Sequence, residues 1–140
     1  MTNNYIILEK YIKDMSSETP DLETYIFVKD YIATYQLNID INSKALKDNM
    51  IEINTIMKFE DNQKNKKKSH FEINYATVIK VSENIKEKKD LEKIILCDVQ
   101  IEIYPDLEKS LLDLLHNSGF PSVKFEKKID FESLYKQRSN

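Results

Sequence analysis

The sequence has few of the residues that build catalytic or cofactor sites. Its 140 residues include one cysteine, one glycine, two histidines and no tryptophan. A single cysteine cannot form an internal disulfide, and one glycine cannot build a glycine-rich phosphate loop. The histidines, His70 and His116, have no cysteine or histidine at metal-ligand spacing. These absences predict a protein that is not an enzyme, with no catalytic residues, no bound metal and no cofactor.

Long apolar runs are also missing. No stretch approaches the roughly 20 consecutive apolar residues that span a bilayer. The segment Met1–Tyr11 lacks the basic start, apolar run and small-residue cleavage site of a secretory signal. We therefore expect a cytoplasmic protein that does not insert into a membrane.

The charge pattern argues against a nucleic-acid partner. The formal net charge is −3, whereas binding to nucleic acid depends on clustered basic residues that contact phosphates. One basic run, Lys64 and Lys66–Lys68, lies between two predicted strands and has no interleaved aromatic residues. Such a run is typical of a solvated hairpin tip that discourages pairing between sheet edges.

Alternating apolar residues predict a four-stranded antiparallel sheet. Tyr31, Tyr35, Leu37 and Ile39 are separated by polar residues such as Asn38, as in a half-buried strand. The connections are too short for parallel crossovers, so neighbouring strands should be antiparallel. The predicted strands cover residues about 5–17, 31–42, 50–61 and 68–81. Together with helices that follow them, they predict an α+β fold in one domain over residues 1–140.

A change of period after residue 81 predicts the helices. Leu107, Leu111 and Leu115 fall four residues apart, which is typical of an amphipathic helix over residues about 105–117. Pro105 is expected in its first turn and Gly119 at its left-handed end. A shorter helix is predicted over residues about 131–138, with Asp130 as its cap.

The segment between residues 83 and 103 allows more than one interpretation. Residues 83–96 have the composition of a short helix. Val99, Ile101 and Ile103 alternate with polar residues, a pattern that favours an edge strand.

Four segments of the chain carry distinctive motifs: YIKDMSSETP at Tyr11–Pro20, FVKDYIATYQLNID at Phe27–Asp40, GFP at Gly119–Pro121 and IDFESLY at Ile129–Tyr135. Together they resemble the motifs of the bacterial export chaperone family SecB. They occur in the order and at about the spacing of that family, apart from small length differences.

The resemblance implies a homotetramer, built as a dimer of dimers, that holds unfolded secretory precursors along apolar grooves. In the family these precursors are passed to the SecA motor. The groove residues that the resemblance and the shared strand face select are Tyr31, Tyr35, Leu37 and Ile39. Contacts of this kind gain affinity from apolar burial and tolerate many clients.

The resemblance also implies an acidic surface that engages the basic, zinc-bearing tail of SecA. Asp14, Glu18 and Glu72 match the carboxylates of that surface, and His70 stands where the family has a leucine. Read without the family, the same carboxylates are ordinary solvated strand charges.

Two further functions stay open at this point. The altered residue His70 permits a chaperone of the same type dedicated to one labile partner, such as an antitoxin. A small-ligand module or enzyme on a similar sheet is disfavoured, because the chain has no convincing catalytic constellation.

Overall fold

The computed structural model describes residues 4–139 as a four-stranded sheet covered on one face by helices. The strands are β1 (Tyr5–Glu18), β2 (Gln36–Ala45), β3 (Met50–Glu60) and β4 (His70–Val81). The helices are α1 (Leu22–Tyr31), which a 3₁₀ turn (Ile32–Thr34) follows, α2 (Lys88–Lys93), α3 (Val99–Asn117) and α4 (Phe131–Ser139). A π-helical turn (Ile94–Asp98) joins α2 to α3. The predicted α+β fold class is confirmed.

The strand order is β1-β4-β3-β2, and every neighbouring pair is antiparallel. The two central strands, β3 and β4, supply the floor of the core, where Ile53, Met57 and Ile73 are fully buried. α3 covers them with Leu107 and Leu111, which are also fully buried. β1 and β2 are left as the edges of the sheet.

The prediction of a strand at 31–42 is wrong at its beginning. Tyr31 ends α1, residues 32–34 form the 3₁₀ turn, and β2 begins only at Gln36 and continues to Ala45. The helix α1 was not predicted. It starts where the carboxylate of Asp21 accepts a hydrogen bond from the Thr24 N–H at 2.8 Å. The alternation of Tyr31 and Tyr35 with polar residues was misleading, because a helix that ends in a tight turn can also produce it.

The long helix begins earlier than residue 105. Val99 and Ile103 are fully buried members of α3, whereas Ile101 between them is 50% exposed. The edge strand predicted from these three residues is therefore wrong, since their burial follows the four-residue spacing of a helix. Pro105 lies inside α3 and not in its first turn. The possible helix within residues 83–96 is present in part as α2.

A buried glutamine fixes the π-helical turn against the sheet. The Gln100 amide donates a hydrogen bond to the Ile95 carbonyl at 3.1 Å. Its own carbonyl oxygen accepts one from the Thr55 hydroxyl on β3 at 2.9 Å. Gln100 is fully buried and cannot contact water, so these two hydrogen bonds satisfy the polar atoms of its side-chain amide. The long helix is thus held in register over the middle of β3.

The end of α3 was predicted correctly at Gly119. This residue has φ of 105° and donates its N–H to the His116 carbonyl, while the Phe120 N–H bonds the Leu115 carbonyl at 3.1 Å. These two bonds define a Schellman motif. The Tyr25 hydroxyl donates to the Gly119 carbonyl at 2.7 Å, and a Cβ at residue 119 would lie 2.7 Å from the Tyr25 ring. Glycine is therefore required by both the backbone angle and the close contact.

Helix α4 begins as predicted. The Asp130 carboxylate accepts hydrogen bonds from the Ser133 N–H at 3.1 Å and from the Ser133 hydroxyl at 2.9 Å. These bonds to the charged form lower the pKa of Asp130. The helix starts at Phe131, which is buried under α3, and the predicted bounds of 131–138 agree with the observed 131–139.

Candidate functional site

A long groove runs along the helix-covered side of the edge strand β2. Three adjoining cavities form it, with volumes of about 1010, 430 and 290 Å³. Leu37 and Ile129 line both the first and second cavities, and Ile39 and Leu134 line both the second and third. We call this continuous depression the β2 groove.

The floor and the wall of the β2 groove come from different parts of the chain. The half-buried side chains of Leu37, Ile39 and Ile41 on β2 line it, and Tyr35 and Phe59 close its wider end. The opposite wall is the segment 122–137, whose apolar members are Val123, Phe125, Ile129, Phe131, Leu134 and Tyr135. The lining is therefore mainly aliphatic and aromatic.

The wall is anchored away from β2, which explains why the groove stays open. Phe125 packs edge-on against Phe59 of β3, with ring centroids 5.6 Å apart. Phe131 packs in the same way against Tyr104 of α3 at 5.5 Å. The His116 ring donates a hydrogen bond to the Val123 carbonyl at 2.9 Å. Each of these contacts joins the wall to α3 or β3, and none of them joins it to β2.

Three of the four predicted groove residues line the β2 groove, and one does not. Tyr35, Leu37 and Ile39 line it. Tyr31 lies at the end of α1, where it is 43% exposed and stacks on Phe27 with ring centroids 4.6 Å apart. It forms a separate aromatic surface on that helix.

Tyr35 is part of the core as well as of the groove. It is 7% exposed and packs on Phe59 at a centroid distance of 5.6 Å. Its hydroxyl oxygen accepts a hydrogen bond from the buried Ser69 N–H at 3.1 Å, which ties the β3–β4 loop to the groove. Burial raises the pKa of Tyr35, because the phenolate would lose its hydration.

The four residues predicted to engage SecA share the face of the sheet that lies away from the helices. In the register of β1 and β4, Glu18 is opposite His70 and Asp14 is opposite Asn74. The His70 ring lies 3.8 Å from the Glu72 carboxylate, which also lies 3.6 Å from the Lys58 ammonium. The structure brings the predicted residues together, but Lys58 balances part of the negative charge.

The groove wall was missed in the sequence. Phe125 and Ile129 belong to a stretch without regular secondary structure between α3 and α4. The sequence shows only that apolar residues, Val123, Phe125 and Ile129, are set among lysines, which does not reveal the strand they face.

The described residues offer no catalytic arrangement. Among residues 4–139 no group of three histidine, cysteine, aspartate or glutamate side chains could hold a metal ion. Cys97 is buried, and burial raises the pKa of its thiol, so the reactive thiolate is disfavoured. No helix in this part of the chain is long and apolar enough to cross a membrane.

Comparisons with known proteins agree on one family. The family model for SecB, described as preprotein translocase subunit SecB, matches residues 2–140. The chain is 61% identical over 140 residues to a Pelagibacter ubique (strain HTCC1062) protein that bears the protein-export SecB name, with all of both chains covered. It is 28% identical over 132 residues to the protein-export protein SecB of Parvibaculum lavamentivorans, covering 94% of this chain and 77% of that protein.

A solved structure shares the fold. The SecB-like chaperone of Mycobacterium tuberculosis, solved in complex with a peptide from an antitoxin, superposes with a TM-score of 0.63. The match covers 89% of this chain and 91% of that one, at 13% sequence identity. At this identity the likeness concerns the architecture of the sheet and helices.

Substitution of Tyr31 and of Tyr35 by phenylalanine tests which of the two tyrosines belongs to the core. Tyr35→Phe removes the acceptor of the buried Ser69 N–H, so we expect the free energy of unfolding to fall by about 1–3 kcal/mol. Tyr31→Phe removes an exposed hydroxyl and should change it by no more than about 0.5 kcal/mol. Urea denaturation of the two variants measures both values. Equal effects would contradict the different placements.

Proposed function

The chain belongs to the SecB family of protein-export chaperones, which are not enzymes, and from that premise we propose that its β2 groove holds unfolded secretory precursors. Holding requires no ATP, because the apolar surface of the groove supplies the binding free energy. The precursors then pass to the SecA motor. The protein acts in the cytoplasm, where such precursors are made.

The size and chemistry of the groove support this proposal. Residues 35–41 span about 20 Å at about 3.3 Å per residue, which is long enough for about six residues of an extended client. Each apolar client side chain that the groove buries contributes about 1.5–3 kcal/mol. The half-buried Leu37 and Ile39 are available for such burial. Because apolar contact has little directionality, the groove accepts many sequences.

The aromatic surface of α1 provides a second client contact in the proposal. Tyr31 and Phe27 stack on one another, and Ile26 nearby on the helix is 55% exposed. Exposed apolar side chains that lie together usually mark a binding surface. A client longer than the groove can therefore continue onto α1.

Self-association into a dimer of dimers is also part of the proposal. The edge strand β1 exposes Ile6, Leu8, Tyr11, Ile12 and Met15, each between 40% and 53%. An edge strand with this much apolar surface is a template for pairing with another chain. A homotetramer would cover this surface and present several β2 grooves to one client.

The acidic face of the sheet serves as the docking surface for SecA. Asp14 and Glu18 on β1 lie beside Glu72 and His70 on β4, so they present negative charge to a basic partner. Charge complementarity at such a surface mainly sets the rate and specificity of association. Lys58 reduces the contribution of Glu72, so Asp14 and Glu18 carry most of the attraction.

Suppression of aggregation tests the holding function. An unfolded, reduced protein is diluted from denaturant without nucleotide, and light scattering is followed with and without this protein. Leu134→Asp places a charge in the groove at a residue that is already 42% exposed, so the fold is retained. We expect about tenfold more of this variant to be needed, which corresponds to about 1.4 kcal/mol of lost binding.

Leu46→Asp is the matched control, because Leu46 lies beyond the far end of β2 and is exposed. It should protect as well as the unaltered chain. Leu37→Asp gives a second variant on the floor of the groove, and its thermal unfolding is measured in parallel. Failure of the unaltered, folded protein to protect any general client would contradict the proposal and favour a chaperone dedicated to one labile partner.

Docking on SecA is tested by charge reversal. Asp14→Lys with Glu18→Lys should lower the affinity for SecA by about tenfold at low salt, since both carboxylates become repulsive. Glu83→Lys with Glu87→Lys makes the same change in net charge beyond the opposite end of the sheet and should leave the affinity unchanged. Isothermal titration measures the affinity, and the aggregation assay shows whether holding survives. Loss of both functions in the first variant would mean that these carboxylates are structural.

A further inference from the structure

The wider end of the β2 groove is surrounded by lysines, although the chain as a whole carries a net charge of −3. The largest cavity is lined by Lys124, Lys127 and Lys128, against one carboxylate, Glu126. All four charged side chains belong to the groove wall, and the three lysines are exposed to solvent.

A second lysine-rich segment reaches the same end of the groove. The β3–β4 loop contains Lys64, Lys66, Lys67 and Lys68. The loop is tied to residues that line the largest cavity, because the Ser69 N–H bonds the Tyr35 hydroxyl and the Asn62 amide bonds the side chain of Gln36. The solvated hairpin tip predicted from the sequence therefore stands beside the groove.

Most of this positive charge is not neutralised within the protein. Lys67 pairs with Glu23 of α1. The pKa of Asp61 is lowered mainly by the hydrogen bond from the Gln63 N–H, and Lys68 adds a smaller attraction. None of the other lysines in these two segments forms an ion pair within residues 4–139. We call Lys64, Lys66, Lys68, Lys124, Lys127 and Lys128 the lysine rim.

We infer that the β2 groove prefers unfolded segments in which carboxylate side chains alternate with apolar residues, and that the lysine rim sets this preference. The inference rests on the proposed holding function and names the class of client that the groove favours. In an extended segment, side chains alternate in direction, so apolar residues can enter the groove while carboxylates face the rim. Attraction between the lysines and these carboxylates adds affinity, and it also raises the rate of capture.

A polypeptide fits the groove better than another anionic polymer does. Single-stranded nucleic acid is usually bound by exposed aromatic rings on which bases stack. Three rings line this end: Tyr35 and Phe59 are 7% and 5% exposed, and the half-buried Phe125 packs against Phe59, so no ring is freely exposed for a base to stack on. The neighbouring cavities continue with Leu37, Ile39 and Leu134, which suits aliphatic client residues.

Three labelled peptides with the same apolar residues test the inference. Glutamate, glutamine or lysine occupies the intervening positions, and fluorescence anisotropy measures binding to the full chain. At an ionic strength of about 0.02 M we expect the glutamate peptide to bind about tenfold more tightly than the glutamine peptide, and the lysine peptide to bind weakest. At about 0.5 M the difference should shrink to about twofold.

Substitutions of the wall lysines test whether the lysine rim causes the preference for the glutamate peptide. The triple change Lys124→Gln, Lys127→Gln and Lys128→Gln should reduce the preference for glutamate to about threefold or less. The control triple change Lys44→Gln, Lys47→Gln and Lys80→Gln removes the same charge at the β2–β3 hairpin end of the sheet. These exposed lysines line none of the three groove cavities, so the preference should be unchanged.

The outcomes separate this inference from the holding function. Equal affinity for the glutamate and glutamine peptides would overturn the inference and leave the holding function standing. Failure of all three peptides to bind would overturn the holding function itself. The inference would also fail if a glutamate peptide with serines in place of its apolar residues, or an oligothymidylate, bound as tightly.

Discussion

The left-handed turn at Gly119 is the constraint on which the groove depends. It ends α3 with the Schellman hydrogen bonds and directs the chain back across the end of the sheet. Phe120 then packs edge-on against Phe71, and Tyr25 of α1 closes over the turn. A residue with a side chain at position 119 would strain the backbone and collide with Tyr25, so the following segment would leave its place. Without that segment, Leu37 and Ile39 would face open solvent and β2 would have no groove.

The same arrangement leaves the apolar side chains of β2 incompletely packed. A core gains the most stability when every apolar side chain is fully packed, and β3 and β4 follow this rule. On β2 the apolar side chains stay half-buried, because the wall is attached to α3 and β3. In the proposed function a client supplies the missing contacts. Under this proposal, half-buried side chains that add little stability to the free protein contribute to client binding instead.

The sequence predicts the centre of the sheet well and its borders poorly. In β3 and β4 the inward-facing residues, such as Ile53, Met57 and Ile73, recur at every second position, and this period has no helical counterpart. The predicted starts of β2 and α3 were wrong. Tyr35 near the first and Ile101 near the second each fit a two-residue period, but both stretches are too short to exclude a helix. The floor of the groove follows from the strand pattern. Its wall does not, since only tertiary contacts bring Phe125 and Ile129 beside β2.

Hydrogen exchange with and without a bound unfolded protein tests the central claim most directly. If clients lie in the β2 groove, amides of residues 36–41 and 122–134 should exchange more slowly in the complex, because bound chain excludes water and restricts opening. Amides of the hairpin at residues 46–49 should be unaffected. Protection confined to β1 or α1, with no change in residues 36–41, would contradict the account.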